Sequence, residues 1–377
     1  MQRHIFLIPG FFGFANIGDF VYWAPVRQKL GELLDAAHMP AHIHCVKSLP
    51  TASLCARTRC LVEAIAKVRP QPDSIIHLIG HSTGGLDARL VLAPGVDLQT
   101  RINVEAIAGK VYSSVSVATP HRGAPIASLF PGMLGRNLLR LLSIMTISIL
   151  RGAQIPLSLW VEIAGLFALP SSLGNATGTL ASQLFEQLLA DFDPERRAQV
   201  EELLGEVQND QSLIAQLTVE SMDLFNALAV DRDSVSYGSV ITRARPPGLD
   251  TSIEIGCDLV EQAQQAFYYS LSRLSTGYEF PPPDAQYKKI LSKQFGEVPG
   301  SDDTDGIVPT LSQPWGQCIA AAQADHLDII GHHGGSQDDT QKHYDWLITR
   351  SDFRESQFDE LWSKVADFIA QSEAVAR

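Results

Sequence analysis

Ser82 stands in Gly80-His81-Ser82-Thr83-Gly84-Gly85, directly after the apolar run Ile75-Ile76-His77-Leu78-Ile79. A buried strand that ends in Gly-x-Ser-x-Gly and runs on into a helix-compatible stretch has the pattern of a nucleophile elbow. The stretch here is Leu86-Asp87-Ala88-Arg89-Leu90-Val91-Leu92. The turn crowds its own backbone, so the positions two before and two after the serine must be small. Gly80 and Gly84 meet that demand, and Gly85 lets the following helix lie close to the sheet. Such a turn holds a hydroxyl exposed at a strand end. A serine hydroxyl is a weak nucleophile at neutral pH. It needs a base within hydrogen-bond reach and a carboxylate that fixes the base's tautomer.

After an elbow of this kind the acid and then the histidine follow in chain order. Asp305, in Asp305-Gly306-Ile307-Val308-Pro309, is the predicted acid, with Asp302 and Asp303 as close rivals. His326, in a loop before the last helix, is the predicted base; His332, His333 and His343 follow in a more polar stretch. The oxyanion of acyl attack needs preorganised N–H donors. One is expected from Thr83, the other from Phe11 in the loop after the first strand. That loop, Pro9-Gly10-Phe11-Phe12-Gly13-Phe14, is loaded with aromatics. Phe12, Phe14 and His81 are assigned to substrate contact rather than to catalysis. His121 and Arg122 lie near a strand end and shape the pocket or brace it.

The elements that must position these groups read as strands near 5–8, 42–46, 75–79 and 111–118, with helices near 26–37 and 54–68 between them. Alternating strands and helices predict a mostly parallel sheet covered on both faces. From about 130 to 230 the strand rhythm stops. The stretch is helical by pattern and greasy in its first half, with a helix start at Asp193-Pro194-Glu195. We read it as an inserted helical cap over 130–233, between core parts 1–129 and 234–377. A strand follows near 234–242, a smaller helical insertion near 251–280, a short apolar run at 318–322, and a closing amphipathic helix.

The chain has 377 residues, 45% hydrophobic and 19% charged, with a formal charge of −13. That excludes a general electrostatic pull toward nucleic acid or an anionic membrane. Five cysteines with no Cys-x-x-Cys pair exclude a disulfide framework and a zinc ribbon; one bridge, Cys257 to Cys318, is left open. The apolar run 138–150 is shorter than the ~20 residues of a membrane span. The opening Met1-Gln2-Arg3 leads straight into a short apolar run cut by Pro9, so a cytoplasmic location is expected, with a secreted mature form as the alternative.

Several of these segments together resemble the bacterial triacylglycerol lipases of the α/β-hydrolase superfamily. They are Ile8-Pro9-Gly10-Phe11-Phe12-Gly13-Phe14, Gly80-His81-Ser82-Thr83-Gly84-Gly85-Leu86-Asp87-Ala88-Arg89, Ala118-Thr119-Pro120-His121-Arg122-Gly123, Asp305-Gly306-Ile307-Val308-Pro309 and His326-Leu327-Asp328. They occur in family order across nearly the whole chain. The resemblance implies an α/β-hydrolase fold, a Ser82–Asp305–His326 triad, and Phe11 and Thr83 as oxyanion donors. It also implies a structural calcium with Asp328 as one ligand; no other cofactor is implied. Pro9-Gly10 stands where the family usually has His-Gly, which keeps the N–H donor and drops the histidine's contacts.

The expected activity is hydrolysis of hydrophobic, lipid-like esters, with transient lipid contact through the cap. The same triad would also serve an intracellular polyester depolymerase or an acyltransferase. A reading of another class is a non-catalytic binding module on the same fold.

Overall fold

In this computed structural model the described residues are 2–11, 22–130, 132–150, 154–168, 174–333 and 345–375. The expected loop residues Phe12 and Phe14, and His343, lie outside them. The chain runs β1 (Arg3–Ile8), α1 (Ala24–Ala36), β2 (His42–Cys45), α2 (Leu54–Val68), β3 (Ile75–His81), α3 (Thr83–Leu92), α4 (Val104–Ala108) and β4 (Val111–Val117). Six helices follow: α5 (Gly132–Leu150), α6 (Leu157–Ala168), α7 (Gly174–Ala190), α8 (Pro194–Asn209), α9 (Ser212–Gln216) and α10 (Val219–Leu228). The rest is β5 (Ser236–Arg243), α11 (Leu249–Ile255), α12 (Leu259–Ser275), α13 (Ala285–Phe295), β6 (Gln317–Gln323) and α14 (Glu355–Val375).

The strands form one parallel sheet in the order β2-β1-β3-β4-β5-β6. Its alternation sorts the core. Ile5, Leu7 and Ile79 face α1 and α14, while Phe6, Ile8, Ile76 and Leu78 face α2, α3 and α4. This is the covered parallel sheet the sequence predicts. β4 stops one residue early because Ala118 turns left-handed, with φ 49°. The second insertion is two helices, not one: Gly256 takes φ 68° after α11, and the Asp258 side chain accepts from Val260 and Glu261 N–H to start α12.

The strand-free stretch between β4 and β5 carries α5 to α10. Its long apolar run in α5 is buried from Leu138 to Ile149, with only Arg140 half-buried, and joins the cluster that covers the sheet. Its hydroxyls, on Ser143, Thr146 and Ser148, are buried as well. Ser143 and Thr146 donate to the carbonyls of Leu139 and Leu142 at 2.8 Å, and Trp346 Nε1–H donates to Thr146 Oγ1 at 3.0 Å. Hydroxyls that satisfy themselves on their own helix can be buried without penalty. The exposed large apolar side chains of this region sit elsewhere, at Val161 on α6 and at Leu224, Leu228 and Val230 around α10. Among the described residues no helix is long and apolar enough to cross a membrane. All five cysteines are free; Cys257 is exposed and Cys318 buried, so the bridge left open by the sequence is not formed.

α14 returns to the first strand. Glu373 accepts from Arg3 Nε at 2.5 Å and from Arg3 Nη2 at 2.8 Å, and meets His77 Nε2 at 3.3 Å. Burial alone would push this carboxyl up; the bonds from Arg3 and His77 outweigh it and hold it down to about 2, from an ordinary 4.5. A depressed carboxyl stabilises the fold above its unfolded pKa and loses that contribution as pH falls toward its folded one. At about 1.4 kcal/mol per pK unit, discounted for solvent on the Arg3 side, this is about 2 kcal/mol at neutral pH. Urea melts should therefore find Glu373→Gln less stable than the native protein at pH 6, with the gap narrowing at pH 3. A gap that stays constant with pH would refute the assignment.

Candidate active site

Ser82 lies between β3 and α3 with φ 53° and ψ −129°, a left-handed backbone for a residue with a Cβ. Strain of this kind costs about 1–3 kcal/mol and persists when the surroundings over-determine it. Here they do. The Ser82 amide donates to Val117 C=O at 2.8 Å, and the Gly85 amide donates back to Ser82 C=O at 3.1 Å. A Cβ on Gly80 would lie 2.3 Å from the Gly84 backbone, and one on Gly84 would lie 2.2 Å from Ile8 O. Both glycines are required by contact, as the pattern predicts. The first loop closes over the turn: a Cβ on Gly10 would lie 2.5 Å from Ser82 Cβ.

Asp305 is fully buried and saturated. Its Oδ1 accepts from the amides of Ile307 at 3.1 Å and Val308 at 2.8 Å, and its Oδ2 accepts from Thr242 Oγ1 at 2.8 Å. The same Oδ2 meets His326 Nδ1 at 2.8 Å, and the His326 amide donates to Asp305 C=O at 3.0 Å. His326 Nε2 is buried and has no hydrogen-bond partner among the described residues. The rivals are placed elsewhere. Asp303 pairs with Arg243 at 2.6 Å, and Asp302 is exposed. His332 Nε2–H donates to Tyr22 C=O at 3.1 Å, and His333 packs edge-on against Phe353.

A narrow cavity of about 60 Å3 opens beside the serine. Ser82, Thr83 and Phe11 line it at one end; Ala124, Ile126, Phe130, Leu139, Leu142, Ile214, Leu217 and Val308 make an apolar wall. α5 thus supplies part of the wall. Thr83 is the first residue of α3, so its N–H has no acceptor within the helix. His81 is not in this lining. It lies fully buried behind the turn, where Tyr22 O–H meets its Nδ1 and His326 C=O lies 2.8 Å from its Nε2. His121 and Arg122 are also outside the lining. His121 is bonded to Ser116 Oγ at 2.9 Å and stacked on Trp315, and Arg122 donates to Pro281 C=O.

The expected calcium ligand, Asp328, has company the sequence did not reveal. Carboxylate oxygens of Asp325, Asp328 and Asp345 lie within 4.8 Å of one another. Asp325 Oδ2 and Asp345 Oδ1 are buried with no hydrogen-bond partner among the described residues. Burial raises the carboxyl of each, and their mutual repulsion raises Asp328 and Asp345 further. Three crowded carboxylates with unmet oxygens suit a hard divalent cation.

A further group escaped the sequence reading. Arg57 on α2 donates to Asp87 on α3 through Nε and through Nη2, the latter at 2.7 Å, with both side chains fully buried. Its other N–H groups reach Leu49 C=O at 2.5 Å and Pro9 C=O at 2.8 Å. One guanidinium therefore ties the elbow helix to the loop expected to hold the oxyanion. Burial pushes the Asp87 carboxyl up to about 6 although Arg57 opposes the rise.

Comparison with known proteins fits this picture at the level of the fold. No family model and no curated protein matches the sequence. Solved structures do. EstA from Clostridium botulinum is 18% identical, with a TM-score of 0.53 over 98% of this chain and 87% of its own. Lipase 1 from Pelosinus fermentans is 16% identical, with a TM-score of 0.52 over 97% of this chain and 98% of its own. The Staphylococcus hyicus lipase is 15% identical, with a TM-score of 0.51 over 99% of this chain and 96% of its own. The chain has the α/β-hydrolase fold shared by these bacterial lipases and esterases.

Removing one partner of a buried ion pair costs roughly 3–5 kcal/mol, while replacing both by apolar groups costs far less. Arg57→Ala should lower urea stability by about that much, and the Arg57→Met, Asp87→Leu double variant should recover most of it. Equal losses in the two would contradict this account of the pair.

Proposed function

We propose that the chain is a serine carboxylic-ester hydrolase acting on esters with an apolar acyl group. One arrangement carries the reading: a serine on a left-handed turn beside an apolar cavity, and a histidine whose Nδ1 is held by Asp305 while its Nε2 is left open. The names of the structural neighbours, lipases and an EstA, point the same way.

Ser82 Oγ attacks the acyl carbon and passes its proton to His326 Nε2. Asp305 stays ionised, keeps the Nδ1 proton in place and stabilises the imidazolium. The charge that develops on the former carbonyl oxygen is met by the N–H groups of Thr83 and Phe11. His326 then protonates the leaving alcohol as the C–O bond breaks, leaving the acyl group on Ser82. Water gives a proton to His326, attacks the acyl carbon and releases the acid, and the proton returns to Ser82. The wall of Phe130, Leu139, Leu142 and Ile214 takes the alkyl chain. The cap side chains that would meet a lipid surface are Leu224, Leu228 and Val230, since α5 is buried.

A fluorophosphonate probe should label the native chain and not Ser82→Ala. With that control, a p-nitrophenyl ester panel should give higher kcat/KM for medium or long acyl chains than for acetate. Preference for acetate would refute the apolar acyl pocket, and an unlabelled folded protein would favour a binding module. Adding alcohols and an insoluble polyester to the panel separates hydrolysis of small esters from acyl transfer and depolymerisation.

Asp325, Asp328 and Asp345 would hold a divalent cation such as calcium, which when bound supplies charge to neutralise the cluster and tie Asp345 to the His326 loop. Calcium should raise Tm above its value in chelator, and Asp328→Asn should abolish the difference. An unchanged native Tm would rule the site out.

A further inference from the structure

His326 is held from two directions. Its amide and its Nδ1 both bond to Asp305, so those contacts register the base to the acid's loop. Neither relates it to the nucleophile. The contact that does comes from His81, the last residue of β3 and the neighbour of Ser82 in the chain. His81 Nε2 lies 2.8 Å from His326 C=O, and the two rings are 4.7 Å apart.

The direction of these bonds is fixed by chemistry. A carbonyl only accepts, so His81 Nε2 carries the proton. Its Nδ1 is then bare and accepts from the Tyr22 hydroxyl. Burial, and after it the nearby His326, hold His81 far below the usual imidazole range, so it stays neutral and keeps this single tautomer. Tyr22 also meets the chain that follows the base, where its carbonyl accepts from His332. The chain of contacts therefore runs from the tyrosine to the strand end that bears the nucleophile, and on to the backbone of the base.

We propose that Tyr22 and His81 are positioning residues that set the separation of His326 from Ser82 through the His326 carbonyl. This rests on the ester-hydrolase reading and touches no substrate. Misplacement of a catalytic group by about 1 Å costs roughly a hundredfold in rate, so loosening the bridge should lower kcat and leave KM in place.

The test measures kcat per active site, counted by fluorophosphonate titration, with p-nitrophenyl butyrate as substrate. Tyr22→Phe, which deletes one oxygen, should lose roughly tenfold in kcat at constant KM. His81→Gln places a donor where Nε2 was and should keep more kcat than His81→Asn, which places its polar group at the Nδ1 position. A merely structural role would not rank the two in that order. Glu373→Gln, destabilised far from the site, should keep native kcat per titrated site. Native kcat in both Tyr22→Phe and His81→Asn would overturn the bridge while leaving the hydrolase reading intact. Should His81→Asn fail to fold, Tyr22→Phe alone decides. A native protein that neither labels nor turns over ester overturns the hydrolase reading and the bridge's catalytic meaning with it.

Discussion

The backbone at Ser82 is the constraint around which the site is assembled. A serine at φ 53° is strained, and it stays there because nothing around it can give. The chain at Gly80 and Gly84 packs at distances that exclude a Cβ, Gly10 presses from above, and Val117 takes the amide. The hydroxyl is therefore placed by backbone contacts of three strands and the helix that follows, before any side chain is considered. The Arg57–Asp87 pair extends the same frame outward to Pro9 C=O and the first loop. Each of the two buried charges is useful because the other is present; singly, either would cost more than it contributes.

Much of this was legible in the sequence, for local reasons. The strand before the elbow, the glycines on either side of the serine, and the Asp-Gly and His-Leu loops are short patterns with one physical meaning each. The parallel sheet followed from alternating periods. What the sequence withheld depends on distant pairing. Tyr22 and His81 are 59 positions apart, and His81 and His326 are 245 apart. No spacing rule relates them. Nothing local marks Asp325 and Asp345, which the fold brings to Asp328 from either side of it in the chain. His81 was drawn toward the substrate by its place in the chain, yet strand alternation turns it behind the serine into the core.

The helical insertion shows how composition can mislead about exposure. The long apolar run of α5 lies in the stretch expected to contact lipid, but it is buried and walls the cavity beside Ser82. Ser143 and Thr146 satisfy themselves on the turn before, which lets them be buried with it. The large apolar side chains left to solvent are fewer: Val161 on α6, Leu224 and Leu228 on α10, and Val230 just after it.

The clasp of Glu373 with Arg3 and His77 has a topological consequence. It sits at the N-terminal ends of β1 and β3, whereas Ser82 sits beyond the C-terminal end of β3. The two ends of the described chain are thus neighbours, on the side of the sheet remote from the cavity. The path from Arg3 to Glu373 is almost a ring, and its break falls far from Ser82. A short linker could close that break and a surface loop could be opened instead, with every strand keeping its partners.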